Sequence, residues 1–197
     1  MAEEHGITPS QTVGPYFAYA LTPVDYSLAP LVGDDLRTGD AVGEAIVIEG
    51  VISDGAGEPI PDAMIEIWQA GGAGRYAGTA DALPNTRFKG FGRSETAKGG
   101  RFHFATVKPG AVPGPDGKPQ APHVNVGVFA RGMLKRLFTR IYFADEAANS
   151  GDPILALVPA DRRATLIARR DGTTEGLPRY VFDIRVQGPD ETVFFAA

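Results

Sequence analysis

Turn-forming residues interrupt this chain every few positions. It has 25 glycines and 16 prolines among 197 residues, about one residue in five, where roughly one in eight is ordinary. Both residue types penalise helix interiors, so a helical bundle or coiled coil is excluded. The apolar residues are left to sort into short runs between turns, and those runs read as strands. Ala45–Val51 is closed by Asp54-Gly55-Ala56-Gly57, and Ala63–Gln69 follows it. Arg101–Val107 alternates, with Phe102 and Phe104 on one face and His103 on the other. In Pro122–Phe129, Val124, Val126 and Val128 share a face and His123, Asn125 and Gly127 the opposite one. Arg136–Phe143, Arg179–Val186 and a short Thr192–Phe195 complete the set. This spacing predicts a mostly β chain built as a single β-sandwich domain with one or two short helices. The clearest helix expected is Asp161–Arg170, ended by Asp171-Gly172.

The first 44 residues have a different texture. Thr8-Pro9 and Gly14-Pro15 push the chain toward extended conformations, which predicts an extended N-terminal arm over 1–44 ahead of the sandwich at 45–197, the two forming one domain. Tyr16, Phe17, Tyr19 and Tyr26 are residue types that disordered tails lack, so their rings need a cover.

The formal net charge of −5 gives no attraction to a phosphate backbone, so nucleic acid is not an expected partner. No apolar run reaches the roughly 20 residues that span a membrane. The N-terminus lacks the basic and apolar regions of a secretory signal, so the expected location is the cytoplasm. The absence of cysteine removes disulfides, zinc–thiolate sites and thiol nucleophiles. With three histidines, a metal site would need Tyr, Asp or Glu among its ligands.

Generic catalytic signatures for hydrolases, phosphate-binding loops and dinucleotide sites are missing. Gly71-Gly72-Ala73-Gly74 leads to Arg75-Tyr76 and not into a helix, so it reads as a plain loop. Of the histidines, His5 belongs to a solvated tail and His103 to an outward strand face. His123 opens a strand with Asn125 two residues on, on the same face. A second histidine there would aim two imidazoles at one metal; an amide is a poor ligand for a hard trivalent ion. By spacing alone, His123 is a satisfied structural residue.

Collinear motifs then add a resemblance. Thr8-Pro-Ser-Gln-Thr-Val-Gly-Pro-Tyr16, Glu66-Ile-Trp-Gln-Ala70 with Gly74-Arg-Tyr76, and Val107-Lys-Pro-Gly110 occur in order. Ala121-Pro-His123, Phe129-Ala-Arg-Gly132, Arg140-Ile-Tyr-Phe143, Phe182-Asp-Ile-Arg185 and Glu191-Thr-Val-Phe-Phe195 follow. Together they resemble the intradiol ring-cleavage dioxygenase family over nearly the whole chain. The resemblance implies a β-sandwich core and a catalytic centre in which ferric iron (Fe3+) is held by two tyrosinates and two histidines. There a catechol-type diol and O2 react so that the ring opens between the hydroxyl-bearing carbons.

Carried over residue by residue, the first tyrosine ligand falls on Tyr76 and the first histidine on His123. The second tyrosine position is Val112 and the second histidine position is Asn125; an arginine that precedes the first histidine in catalytic chains falls near Gln120. Half of the ligand set is gone. The resemblance therefore implies a non-metal-binding chain of a hetero-oligomeric enzyme, with iron held by a homologous beta-type partner and the active site at their interface. Tyr76, Val112, His123 and Asn125 would be vestigial ligand positions. In that arrangement the arm lends part of the substrate pocket: Gly14 and Pro15 as a backbone wall, Thr12 and Tyr16 as hydroxyl donors. Arg131 is the candidate cation for a substrate carboxylate. Four competing readings stand beside this one. The segment Thr12–Tyr16 straps the arm to its own sandwich, Arg131 is a strand-end arginine in an interface salt bridge, or the chain is a self-sufficient dioxygenase or a scaffold module.

Overall fold

The structure, a computed structural model, describes residues 16–79, 86–96, 99–114 and 117–196. Its strands are β1 (Ala45–Ser53), β2 (Met64–Gln69), β3 (Phe91–Glu95), β4 (Arg101–Val107), β5 (Val112–Pro113) and β6 (Pro119–Gln120). They continue as β7 (His123–Phe129), β8 (Leu137–Phe143), β9 (Ile167–Thr174), β10 (Leu177–Val181) and β11 (Ile184–Arg185). The main path runs β11-β1-β10-β9-β8-β7-β2-β3, with β4 paired to the other side of β1 and β5 with β6 in a separate small hairpin.

The path folds back on itself so that its two halves share one core. Ile46 and Ile48 of β1, Phe102 and Phe104 of β4 and Tyr180 of β10 belong to the same buried cluster as Ile65 and Ile67 of β2, Val124 and Val126 of β7, and Ile141 and Phe143 of β8. Each such side chain contributes about 1.5–3 kcal/mol on leaving water. The alternation in β7 has its cause here: Val124, Val126 and Val128 face this core. A smaller cluster of Ala121, Tyr142, Leu155, Val158 and Leu166 lies under the turns that follow β8.

Residues 33–36 join the two halves. The amide of Arg93 on β3 donates to Gly33 O (2.9 Å), the amide of Ala105 on β4 to Asp34 O (2.9 Å), and Leu36 N to Ala105 O (2.8 Å). Leu36 is buried in the core. A Cβ at Gly92 would collide with the Leu36 side chain, so glycine there admits the strap.

Four expectations are corrected. The arm is not extended throughout: helix α1 spans Tyr16–Leu21 and a 3-10 turn spans Val24–Tyr26. The restraint of Gly14-Pro15 acts on the residue before proline, and proline itself is compatible with a helix start. Asp161–Arg170 is not an α-helix; a 3-10 turn over Arg163–Leu166 leads straight into β9. The spacing of Leu166, Ile167 and the arginines imitates an amphipathic helix, but Ile167 and Ala168 pair in parallel with Tyr142 and Phe143 of β8, and tertiary pairing decides. Asp171-Gly172 falls inside the strand. Thr192–Phe195 forms a single bridge, Phe195 to Phe138, in place of a strand. The span Arg179–Val186 splits into β10 and β11, because the Asp183 carboxylate accepts the Val51 amide (3.0 Å) between them. No helix among the described residues is long and apolar enough to cross a membrane.

Candidate functional site

Two glycine-rich loops bring distant segments together. Gly74 (φ +70) packs against Ala111 O so closely that any Cβ would collide with it, and a Cβ at Gly110 would strike Gly72 O. Gly110 N also donates to Gly71 O (3.0 Å). The loop 71–74 is therefore a close-approach joint, and it sets Tyr76 beside the segment that carries Val112.

Tyr76 leans on Trp68 of β2 with ring centroids 4.5 Å apart. Its hydroxyl accepts from Asn125 Nδ2 (2.9 Å), and the same amide nitrogen donates to Trp68 O (3.1 Å). On the other side the hydroxyl faces His123 Nε2 at 3.5 Å. His123 Nδ1 lies 2.8 Å from Ala121 O. A carbonyl can only accept, so Nδ1 carries the hydrogen and Nε2 is left as an acceptor toward Tyr76. Burial, aided by the charge of Arg140, pushes the His123 pKa down to about 4, so the ring is neutral near pH 7. Burial also raises the Tyr76 phenol, with the Asn125 hydrogen bond and Arg140 opposing it.

The start of β7 is pinned from below. Asp152, 1% exposed, accepts the Ala121 amide (2.8 Å), the Tyr142 hydroxyl (3.0 Å) and the amides of Ile154 (2.9 Å) and Leu155 (2.7 Å). Above Tyr142 lies Arg140, the β8 partner of Asn125. Its Nη1 donates to Gln120 Oε1 (2.7 Å) and to Tyr142 Oη (3.4 Å). Gln120 in turn pairs with Val112 across the β5–β6 hairpin.

The four positions singled out as vestigial ligands are thus gathered around one end of β7. Tyr76, His123 and Asn125 are in contact, and Val112 is joined to them through Gln120 and Arg140. As a donor set for ferric iron they do not fit. Tyr76 remains a phenol, Val112 has no donor atom, and Asn125 turns its hydrogen-bearing nitrogen, which has no available lone pair, toward Tyr76. Hard trivalent iron needs anionic oxygen and imidazole donors; one imidazole and one phenol are present.

Arg131 is elsewhere. It follows the far end of β7, and its Nε pairs with Asp62 Oδ2 at 2.9 Å with the side chain 83% exposed. Thr12, Gly14 and Pro15 lie outside the described residues, and Tyr16 is described only as the first residue of α1. Of the loops and histidines set aside, His103 is on the outward face beside Asp34 (3.6 Å).

Sequence reasoning missed Arg140, Tyr142 and Asp152 as parts of this cluster. The signal available was register: counting back from Tyr142 opposite His123 places Arg140 opposite Asn125.

The Dioxygenase family profile matches residues 13–188. Over 193 residues the chain is 48% identical to the protocatechuate 3,4-dioxygenase alpha chain of Burkholderia cepacia, covering 95% of this chain and 96% of that one. It is 44% identical to the corresponding alpha chain of Pseudomonas putida, covering 95% of each. The protocatechuate 3,4-dioxygenase beta chain of Burkholderia cepacia is 36% identical over 90% of this chain and 77% of its own length. Among solved structures, chlorocatechol 1,2-dioxygenase from Pseudomonas putida superposes with a TM-score of 0.63 at 23% identity, over 90% of this chain and 70% of that one; this likeness concerns the fold.

Proposed function

The chain belongs to the intradiol dioxygenase family, and on that premise we propose that it acts as the alpha subunit of a protocatechuate 3,4-dioxygenase. The enzyme opens the ring of protocatechuate with O2 between the two hydroxyl-bearing carbons, giving 3-carboxy-cis,cis-muconate. The family uses iron; in this reading the iron belongs to a homologous beta subunit, the assembly is a cytoplasmic alpha–beta oligomer, and this chain has no metal of its own. The observation that carries the reading is the Asn125 amide donating to Tyr76, where the family's ligand pattern requires a second imidazole, in a chain that matches alpha chains along almost its whole length.

The contribution of this chain is then to the pocket around the partner's iron. Thr12 and Tyr16 offer hydroxyls to the substrate, and Gly14 and Pro15 form a wall that lets backbone approach closely. Arg131 is the candidate cation for the substrate carboxylate, and within this chain it pairs with Asp62.

The test is expression with and without a beta-type partner, followed by iron analysis, visible absorption and a ring-cleavage assay. The chain alone is expected to be colourless, iron-free and inactive, and the complex coloured and active. About one iron per isolated chain, with turnover, would sink the proposal. In the active complex, Tyr16→Ala is expected to raise KM or lower kcat with iron content unchanged; unaltered kinetics would reduce the arm to a strap.

A further inference from the structure

Arg131 and Asp62 meet for a reason that lies in the sheet register. β2 and β7 run antiparallel, and Met64 faces Phe129 at one end of their ladder. Two residues beyond that pair on each side, Asp62 comes to lie opposite Arg131, where opposite charges on one face can pair. Both backbones are held there. Thr96, itself 4% exposed, fixes the turn before β2. Its Oγ1 donates to Ile60 O (2.8 Å) and accepts the Ala63 amide (2.8 Å), and its own amide donates to Ala63 O (2.8 Å). Arg131 sits in a tight turn that Met133 N closes on Ala130 O (3.3 Å), with Gly132 in the left-handed region (φ +81).

The contact is made at one end of the guanidinium. Arg131 Nε lies 2.9 Å from Asp62 Oδ2, and the arginine side chain is 83% exposed. Pairing through Nε leaves the Nη1–Nη2 edge for a second partner, and that edge matches the two oxygens of a carboxylate. Other arginines of the sandwich spend an Nη inside the chain: Arg93 on Glu66, Arg179 on Asp171 and Arg185 on Gly55 O. An exposed arginine loses much rotamer freedom when it binds a ligand, and a side chain ordered beforehand lowers that cost.

We propose that Asp62 is a positioning residue for Arg131: it holds the guanidinium through Nε and presents the Nη1–Nη2 edge, already ordered, to the carboxylate of the substrate. The inference rests on the reading above, in which Arg131 takes that carboxylate. A diol without a carboxylate draws nothing from the arrangement. Asp62 therefore acts on the choice between protocatechuate and catechol and not on ring opening.

The test is made in the complex with the beta-type partner, using Asp62→Asn, Asp62→Glu and Arg131→Ala. KM is measured for protocatechuate, and catechol, which lacks the carboxylate, is measured as a competitive inhibitor of its cleavage. Asp62→Asn is expected to raise KM about three- to fivefold, the range of an exposed ion pair. Its kcat, iron content and inhibition by catechol should stay as in the parent. Asp62→Glu keeps a carboxylate within reach of Nε and should recover most of the loss. Arg131→Ala removes the fork itself and should raise KM at least about tenfold, again without moving catechol. A KM unchanged or lowered by Asp62→Asn, an equal loss of catechol affinity, or no recovery in Asp62→Glu would overturn the proposal. So would failure of the Asp62→Asn chain to join the complex, since the pair would then be an interface bond. If Arg131→Ala leaves KM unchanged, the assignment of Arg131 and this proposal fall together, while the complex keeps its iron and its turnover. A complex without iron or turnover refutes the subunit reading, and the proposal with it.

Discussion

Two polar clusters lie a few residues apart along β8 and the turn after it, and they balance charge in opposite ways. Past the end of the strand, Lys108 Nζ meets Asp145 at 3.0 Å and Glu146 at 2.7 Å, while the Tyr180 hydroxyl donates to Asp145 at 2.8 Å. The ammonium also lies 5.4 Å from the centre of the Phe143 ring and 5.5 Å from that of Tyr180. Every charge in that cluster has its opposite inside the chain. Within the strand, Arg140 finds only neutral oxygens, and the imidazole beside it is held neutral. A closed cluster serves the fold, since its energy is realised when the chain folds. An open one gains only hydrogen bonds to neutral groups.

The largest effect that would test this contrast comes from acid. His123 is depressed from 6.5 to about 4. Between those values the unfolded chain binds a proton that the folded chain refuses, so stability is full above about pH 6.5 and falls as pH drops toward 4. The loss is about 3 kcal/mol for a shift of this size. Denaturant melts of the parent and of His123→Gln across this range should show the parent's steeper slope. Equal slopes would mean that the imidazole is not held neutral and that the open cluster is less desolvated than its geometry indicates.

Next is Lys108→Met. Removing the cation leaves Asp145 and Glu146 facing each other at the edge of the core. Their part exposure lowers the cost below that of a fully buried pair, to about 2 kcal/mol. Arg140→Gln, by contrast, is expected to change stability by less than about 1 kcal/mol, since it breaks no ion pair. Thermal denaturation of both variants side by side measures the contrast; a larger loss from Arg140→Gln than from Lys108→Met would reverse it. The smallest effect is assigned to Arg131→Ala, whose exposed pair with Asp62 contributes about 0–1 kcal/mol, and less in high salt. A salt-independent loss would show that Arg131 is buried against something else in the assembly.

Much of the sandwich was legible because local pattern and burial agree there. Val124, Val126 and Val128 alternate toward the core as strand periodicity requires, and Phe102 and Phe104 do the same. The β9 segment was not legible, because its helix-like spacing hides a hairpin with β10 over Arg169–Val181, and its first residues also depend on the backbone of Tyr142 and Phe143. The site divided along the same line. Tyr76, His123 and Asn125 were found from motif offsets, and the structure brings all three together. Arg140 stands in the sequence only as a strand residue and the head of the Arg140-Ile-Tyr-Phe143 motif, since its role arises from facing Asn125 across the β7–β8 ladder and bonding to the Gln120 side chain. Charge complementarity between neighbouring strands is a property of register, and register is set by the whole sheet.

The strap at residues 33–36 has a consequence for the way the chain comes into being. Gly33 and Asp34 leave the ribosome early, yet the amides they satisfy belong to Arg93 and Ala105. β1, which follows them, needs Arg179–Val181 of β10 as its parallel neighbour. Neither the strap nor β1 is paired until β3 and β4 have emerged, and even then only one side of β1 is paired, its other side waiting for β10 near the end of the chain. Long-range pairing of this kind is slow and leaves edges exposed in the meantime. A homologous partner synthesised nearby would meet this chain while its edges are still open.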